Sequence, residues 1–148
     1  MAKSSDAALE RFVDTGEAIV REGDTGRDMF VIQYGRVEIR KQVNGSDVAL
    51  ASLTKGDFFG EMSLLESLPR DADAVAVAPT KLLVIQPGGL LLRIRRDPTF
   101  AFEMLNKLSS RLRRQNARLV RAIEAKGMTS TREILLYKPD TLPGEASE

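Results

Sequence analysis

The sequence predicts a mainly β fold with flanking helices: a jelly-roll-like, double-stranded β-roll followed by one long C-terminal helix. Two observations predict it. Short segments rich in β-branched and apolar residues lie between residues 16 and 87, and turn-forming residues separate them. From residue 98 onwards, apolar residues instead recur every three or four positions, which is the spacing of an amphipathic helix.

The strand candidates are joined by turns that have a clear physical basis. Asn44-Gly45 separates two of these segments and favours a two-residue hairpin turn, because both residues tolerate positive φ. We assign residues 12–97 to one β-roll domain and residues 1–11 to an N-terminal lead. The strand candidates are AIV, DMFVIQYG, RVEIRKQV, DVALASL, DADAVAVA and KLLVIQP. Other turns are predicted at Gly23-Asp24, Tyr34-Gly35 and Lys55-Gly56.

Residues 98–126 are predicted to form the long helix. Asp97 or Thr99 suits its N-cap, and Pro98 suits its first turn. Its apolar residues follow a heptad frame, and Asn116 at an a position is the residue type that specifies register in parallel dimers. We therefore predict a parallel homodimer, with packing on the chain's own β-roll as the alternative. The a positions are Phe102, Ser109, Asn116 and Ile123, and the d positions are Leu105, Leu112 and Leu119.

The composition excludes several classes of function. The chain contains no His and no Cys, and its net charge is +1. Zinc and transition-metal sites, Cys- or His-ligated haem and iron–sulfur clusters, and Ser-His or Cys-His nucleophiles are therefore not expected. We predict a protein that is not an enzyme and holds no cofactor. No apolar run approaches the roughly 20 residues that span a bilayer, and no signal-peptide core is evident, so we expect a cytoplasmic location without membrane contact.

The segment GDFFGEMSLLESLPRDADAVAV, residues 56–77, contains the parts of an anion-binding site. A buried phosphate monoanion needs backbone N–H donors at a helix start, a glycine that permits close approach, and a planar cation. Gly60, a short helix over Glu61–Glu66, and Arg70 supply these. Glu61 adds a carboxylate, which suits a ligand that also carries a sugar hydroxyl. The alternative for Arg70 is a surface arginine paired with Glu66 or Asp71.

This segment resembles the phosphate-binding cassette of the cyclic nucleotide-binding domain family. The family pattern runs Phe-Gly-Glu, a small residue, Leu, several variable positions, then Pro-Arg, a small residue and Ala. Upstream, GEAIVREGDTGRDMFVIQYGRVEI is similar to the family's first strands, and the long helix resembles the C-helix of the catabolite activator branch. The resemblance spans roughly residues 12–126 and places the cassette at residues 58–74. It implies a stand-alone sensor whose ligand is cAMP or cGMP.

The resemblance also implies which residues contact the ligand. Gly60 and the amides of Glu61 and its neighbours would contact the cyclic phosphate, Glu61 the ribose 2′-OH, and Arg70 the exocyclic oxygens. Gln115 and Asn116 stand where the activator branch recognises the purine, with Asn116 reaching across the dimer. The implied ligand contacts are Phe59, Gly60, Glu61, Met62, Ser63, Arg70, Asp71, Ala72, Gln115 and Asn116.

Asp71 departs from the family pattern, which has Ala, Ser or Thr after the arginine. A carboxylate beside the phosphate would repel it unless Asp71 turns outward or pairs with Arg70. The absence of Thr or Ser there favours cAMP over cGMP. A fold that has lost its ligand and serves as an interaction scaffold remains an alternative, as does a regulatory fragment of a transcription factor.

The C-terminal third is basic and ends in a polar tail. Residues 93–126 hold ten Lys or Arg against three Asp or Glu, which is more typical of a solvated face than of a nucleic-acid site. Residues 127–148 are predicted to be a largely flexible tail, with one short element at REILLY that docks or meets a protein partner. The residues after Gly127 are too few for a helix-turn-helix, so we expect no direct sequence-specific DNA binding.

Overall fold

The computed structural model describes residues 9–127, in which the chain forms eight strands and three helices. The predicted tail after Gly127, with its REILLY element, lies outside these residues. The chain divides into two compact units at the Arg96–Asp97 boundary: the strands lie in one unit and the long helix in the other. The elements are β1 (Leu9–Val13), β2 (Ala18–Val20), β3 (Met29–Tyr34), β4 (Val37–Val43), β5 (Ser46–Leu53), β6 (Phe58–Phe59), α1 (Glu61–Glu66), β7 (Asp73–Ala76), β8 (Thr80–Ile85), α2 (Pro87–Arg96) and α3 (Pro98–Ala125).

The strands form two four-stranded antiparallel sheets with the orders β1-β8-β3-β6 and β2-β7-β4-β5. Buried positions alternate with partly exposed ones along β2 and β7, as the twofold period of a strand requires. The core that results contains residues from both sheets, so the predicted β-roll is confirmed. Its members are Val13, Phe30, Ile32, Phe59 and Leu82 from the first sheet, and Ile19, Val37, Leu53, Ala74 and Ala76 from the second or its strand ends.

The turn predictions agree with the backbone. Asn44 has φ 52° and Gly45 has φ 78°, so both central residues of the β4–β5 hairpin are left-handed, as a type I′ turn requires. Each predicted strand segment contains a strand. Two strands were not predicted: β1 begins within the assumed lead and crosses its boundary at residue 12, and β6 has only two residues, too few to show a periodic pattern.

The helical part of the chain begins earlier than predicted. α2 starts at Pro87 although Gly88 and Gly89 have low helix propensity, and Leu90 is its buried residue. Proline in the first helical position was the signal for this helix. α3 begins after Asp97, as predicted, and no side-chain hydrogen bond from Asp97 caps it. None of the helices within residues 9–127 combines the length and apolar character needed to cross a membrane.

Candidate anion-binding site

Two connections between the sheets lie side by side and form the site. The β2–β3 loop (residues 21–28) leads from the second sheet to the first, and the cassette (residues 58–74) leads back. The amide of Gly23 donates to the Arg70 carbonyl at 2.8 Å, and the Arg70 amide donates to the Asp24 carbonyl at 2.8 Å. These reciprocal bonds hold the backbone of Arg70 like a residue in a β ladder.

Gly60 brings two elements of the site into close approach. It precedes α1 with φ 86° and ψ 2°, and α1 spans Glu61–Glu66 as predicted, with no side-chain hydrogen bond capping its start. A Cβ atom on Gly60 would lie 2.8 Å from Arg70 Nη1 and 2.8 Å from the Asp28 carbonyl oxygen. The position therefore requires glycine both for its left-handed backbone and for space.

Arg70 is a buried arginine, with 5% of its surface exposed. Its Nη2 donates to the Asp28 carbonyl at 2.7 Å and its Nη1 to the Gly60 carbonyl at 3.3 Å. Its Nε is buried and has no hydrogen-bond partner among the described residues. The guanidinium carbon lies 5.9 Å from the ring centre of Phe30, which itself stacks on Phe59. The alternative of a surface arginine is therefore wrong.

The charge of Arg70 is only partly compensated by its surroundings. Burial lowers the pKa of the guanidinium from its ordinary value, while the negative charges of Asp28 and Asp24 act in the opposite direction. An arginine stays protonated under these conditions. A buried cation with an unused N–H donor, next to a helix start, is an environment that favours an anion.

Asp71 does not share the environment of Arg70. Its carboxylate accepts from Lys41 of β4 at 3.3 Å, and its side chain is 68% exposed. Lys41 also lies 3.7 Å from Glu22. The Asp71 carboxylate therefore points outward, as a phosphate beside Arg70 would require. The positive charge of Lys41 also reduces the negative field of Asp71.

The other predicted contacts occupy different environments. Phe59 is buried in the core, Ser63 is buried on α1, Met62 is exposed, and Ala72 is half-buried. Glu61 is half-buried at the first position of α1. The predicted contacts from Phe59 to Ala72 lie on one segment, and the hydrogen bond from Arg70 to the Gly60 carbonyl brings its two ends together. Gln115 and Asn116 are exposed on α3, in the second unit.

Sequence reasoning missed the contribution of the β2–β3 loop. Asp28 supplies a backbone carbonyl to Arg70, and Gly26 lies so close that a Cβ there would be 3.3 Å from Arg70 Nη2. Arg27 donates to the carbonyl of Leu64 in α1 at 3.2 Å. The two glycines and two aspartates of REGDTGRD, residues 21–28, were a visible signal for a turn, but they did not indicate that this turn contacts Arg70. Within residues 9–127, no group of three His, Cys, Asp or Glu residues could hold a metal ion.

A two-sheet β-roll whose inter-sheet connection presents a buried arginine and a short helix is the architecture of a small-ligand regulatory domain. Residues 10–97 match the family model described as "Cyclic nucleotide-binding domain", which is more than half of the chain. The chain therefore belongs to the cyclic nucleotide-binding domain family, as the cassette resemblance predicted.

The relatives that match this chain include a receptor protein and regulatory subunits of protein kinases. The chain is 37% identical over 110 residues to the cyclic AMP receptor protein of Thermus thermophilus, covering 74% of this chain and 51% of that protein. It is 34% identical over 88 residues to a cAMP-dependent protein kinase regulatory subunit of Eremothecium gossypii, covering 60% of this chain and 19% of the subunit. The crystal structure of the Thermus thermophilus catabolite activator protein superposes with a TM-score of 0.68 and 34% identity, covering 78% of this chain and 55% of that one. The chain thus spans about half the length of the receptor protein and about a fifth of the length of the kinase regulatory subunit.

Proposed function

We propose that the chain is a sensor domain that binds a cyclic nucleotide in the cassette, prefers cAMP to cGMP, and transmits binding through α3. The observation that carries the proposal is the buried guanidinium of Arg70, whose Nε has no partner within residues 9–127 and whose Nη1 donates to the Gly60 carbonyl. Two carbonyls alone leave this cation incompletely solvated, so an anionic ligand oxygen at Nε would satisfy it.

The remaining groups of the cassette fit the other parts of the ligand. The first amides of α1 lie at the positive end of its dipole, so we assign them, with Gly60, to the cyclic phosphate. Glu61 is assigned to the ribose 2′-OH, because a carboxylate accepts a hydroxyl hydrogen bond. Gln115 is assigned to the purine of its own nucleotide, and Asn116 to that of the partner copy.

The preference for cAMP has two supports. Several relatives that match this chain are named for cAMP, among them the receptor protein and the kinase regulatory subunit, whereas one that is 37% identical over 81 residues is a cGMP-dependent protein kinase. Asp71 also replaces the Thr or Ser that accompanies cGMP recognition in the family, and its carboxylate is engaged with Lys41. The cytoplasmic location and the lack of sequence-specific DNA binding stay predictions.

The test of ligand binding is calorimetric titration with cAMP and with cGMP, paired with unfolding of the protein in each ligand. At a ligand concentration a hundredfold above the dissociation constant, the free energy of unfolding is expected to rise by about 2.7 kcal/mol. Non-cyclic 5′-AMP is the control and should give a much smaller rise, because it lacks the cyclic monoanion. If neither cyclic nucleotide binds at millimolar concentration, the sensor function fails and the scaffold alternative stands.

We also propose that α3 forms the parallel dimer and moves when ligand binds. Its a and d residues Phe102, Leu105, Leu112 and Leu119 are between 57% and 64% exposed, so residues 9–127 leave an apolar stripe on α3 uncovered. A second α3 would bury it with Asn116 at the seam. Because the ligand binds most tightly when α3 and the cassette contact it together, binding would shift the population towards that arrangement.

The dimer prediction can be tested with single cysteines, because the chain contains none. Ile123→Cys, at an a position near the end of α3, is expected to form an intermolecular disulfide readily. The two a residues face each other in a parallel pair, whereas in an antiparallel pair they would lie far apart. Arg121→Cys, on the outer f position, is the control and should cross-link slowly. A monomeric protein in sedimentation, or equal cross-linking by both variants, would contradict the parallel dimer.

A further inference from the structure

Three consecutive residues of the β2–β3 loop contact both phosphate-binding elements. Gly26 and Asp28 enclose Nη2 of Arg70, the first by close approach and the second through a 2.7 Å hydrogen bond to its carbonyl. Arg27, between them, donates from Nη2 to the carbonyl of Leu64 in α1 at 3.2 Å. The same tripeptide therefore holds the guanidinium on one side and the short helix on the other.

The C-terminal half of α1 needs such an external donor. α1 has only six residues, no basic residue in its last turn, and ends at Ser67 with φ 58°. The left-handed residue ends the helix, so its last carbonyls depend on partners from outside the helix. Among the described residues, the Ser63 carbonyl accepts from the amide of Ser67, and the carbonyl of the buried Leu64 accepts from Arg27.

We propose that Arg27 is a positioning residue of the phosphate-binding site: it caps the C-terminal end of α1 from the β2–β3 loop and thereby fixes the first amides of α1 relative to Arg70. The inference rests on the proposed function. Its guanidinium places a positive charge at the negative end of the α1 dipole, which stabilises the helix in the orientation where its first amides face the anion. Arg27 does not touch the ligand, and it acts through Leu64.

The neighbours of Arg27 make this coupling specific. Because Gly26 and Asp28 contact Arg70, a displacement of Arg27 changes the distance between the guanidinium and the start of α1. Both groups bind the same phosphate in the proposed site, and small misplacements of a charged hydrogen bond weaken it strongly. A second connection, from the amide of Glu22 to Asp73 Oδ1 at 2.7 Å, holds the far end of the loop and confines the displacement to residues 26–28.

Calorimetric titration of three variants with cAMP tests the proposal. Arg27→Met keeps the length of the side chain and removes the donor and the charge, and we expect it to bind about three- to tenfold more weakly. Arg27→Lys restores the charge and one donor and should recover most of the affinity. Arg11→Met is the control. It removes a comparable arginine-to-carbonyl bond, from Arg11 in β1 to the carbonyl of Ile19 in β2 at 3.4 Å, and it should bind cAMP as the parent does. Without ligand, Arg27→Met should melt only a few degrees below its parent, because the variant loses a single hydrogen bond.

The amide resonances of Glu61 to Ser63 provide a second, ligand-free readout. A shift of these resonances in Arg27→Met, reversed in Arg27→Lys, supports the positioning role. Wild-type affinity in Arg27→Met, an equal loss in Arg11→Met, or no recovery in Arg27→Lys would overturn it. If the parent protein binds no cyclic nucleotide, the proposed function itself fails. If the parent and Arg27→Met bind equally well, only the positioning role of Arg27 fails.

Discussion

Replacement of Arg70 by alanine is expected to lower the affinity for the cyclic nucleotide at least about tenfold, and a hundredfold or more if two bonds are lost. The guanidinium is proposed to make one or two charge-assisted hydrogen bonds to the phosphate, each worth about 1.5–3 kcal/mol. The variant also leaves the carbonyls of Gly60 and Asp28 without donors, so the ligand-free protein should lose about 1–3 kcal/mol of stability as well. Titration calorimetry and urea unfolding measure the two effects separately.

Two further variants identify the cause of the loss in Arg70→Ala. Arg70→Lys keeps the charge but replaces the planar fork by a single ammonium, so intermediate affinity is expected. Arg40→Ala is the control: it removes only a side chain whose ion pairs are with Glu38 and Asp47 on β4–β5, so affinity should stay within about twofold. Full affinity in Arg70→Ala would show that the cation is not at the phosphate.

Substitution of Gly60 by alanine is expected to abolish binding and to destabilise the fold by roughly 2–5 kcal/mol. About 1–2 kcal/mol arises because a residue with Cβ is strained at φ 86°. A further ~1–3 kcal/mol arises because the new methyl group would lie 2.8 Å from a backbone oxygen, that of Asp28, and 2.8 Å from Arg70 Nη1. The Asp28 carbonyl lies directly before β3 and can move little, so the Arg70 guanidinium is expected to be displaced.

Gly16→Ala measures the backbone strain alone, so the difference between this variant and Gly60→Ala gives the steric part of the effect. Gly16 has nearly the same backbone, φ 89°, but a Cβ there would meet nothing within 4 Å. Its cost should therefore be limited to the strain of roughly 1–2 kcal/mol, with unchanged ligand affinity. The comparison uses the free energy of unfolding in urea and the dissociation constant of each variant. Equal destabilisation by both substitutions would show that the close approach at Gly60 has no energetic importance.

Much of the fold could be predicted because its signals are local. The hairpin at Asn44-Gly45 depends on the φ preferences of two adjacent residues, and α3 depends on apolar residues repeated along one helix face. β6 and α2 escaped prediction for the opposite reason. A two-residue strand has no period, and the glycines at the start of α2 argue against helix until tertiary packing of Leu90 outweighs their low propensity.

The candidate site was predicted in composition but not in arrangement. Gly60, Glu61 and Arg70 lie within eleven residues of one another, so a motif contains them all. The partners of Arg70 do not lie nearby: Asp28 is separated from it by 42 positions, and Arg27 from Leu64 by 37. No local pattern indicates such a contact, because it forms only when two inter-sheet connections meet.

The amino-acid sequence by itself determined six of the strands and the long helix, the main turns, and which residue types are available for an anion. These properties follow from backbone preferences and from the partition of side chains between water and core, and both act over a few residues. Only the tertiary structure decided that Arg70 is buried, that Asp71 turns to Lys41, and that the β2–β3 loop supports the cassette. Those outcomes depend on the closing of two sheets over one core, which sets distances between residues far apart in the chain.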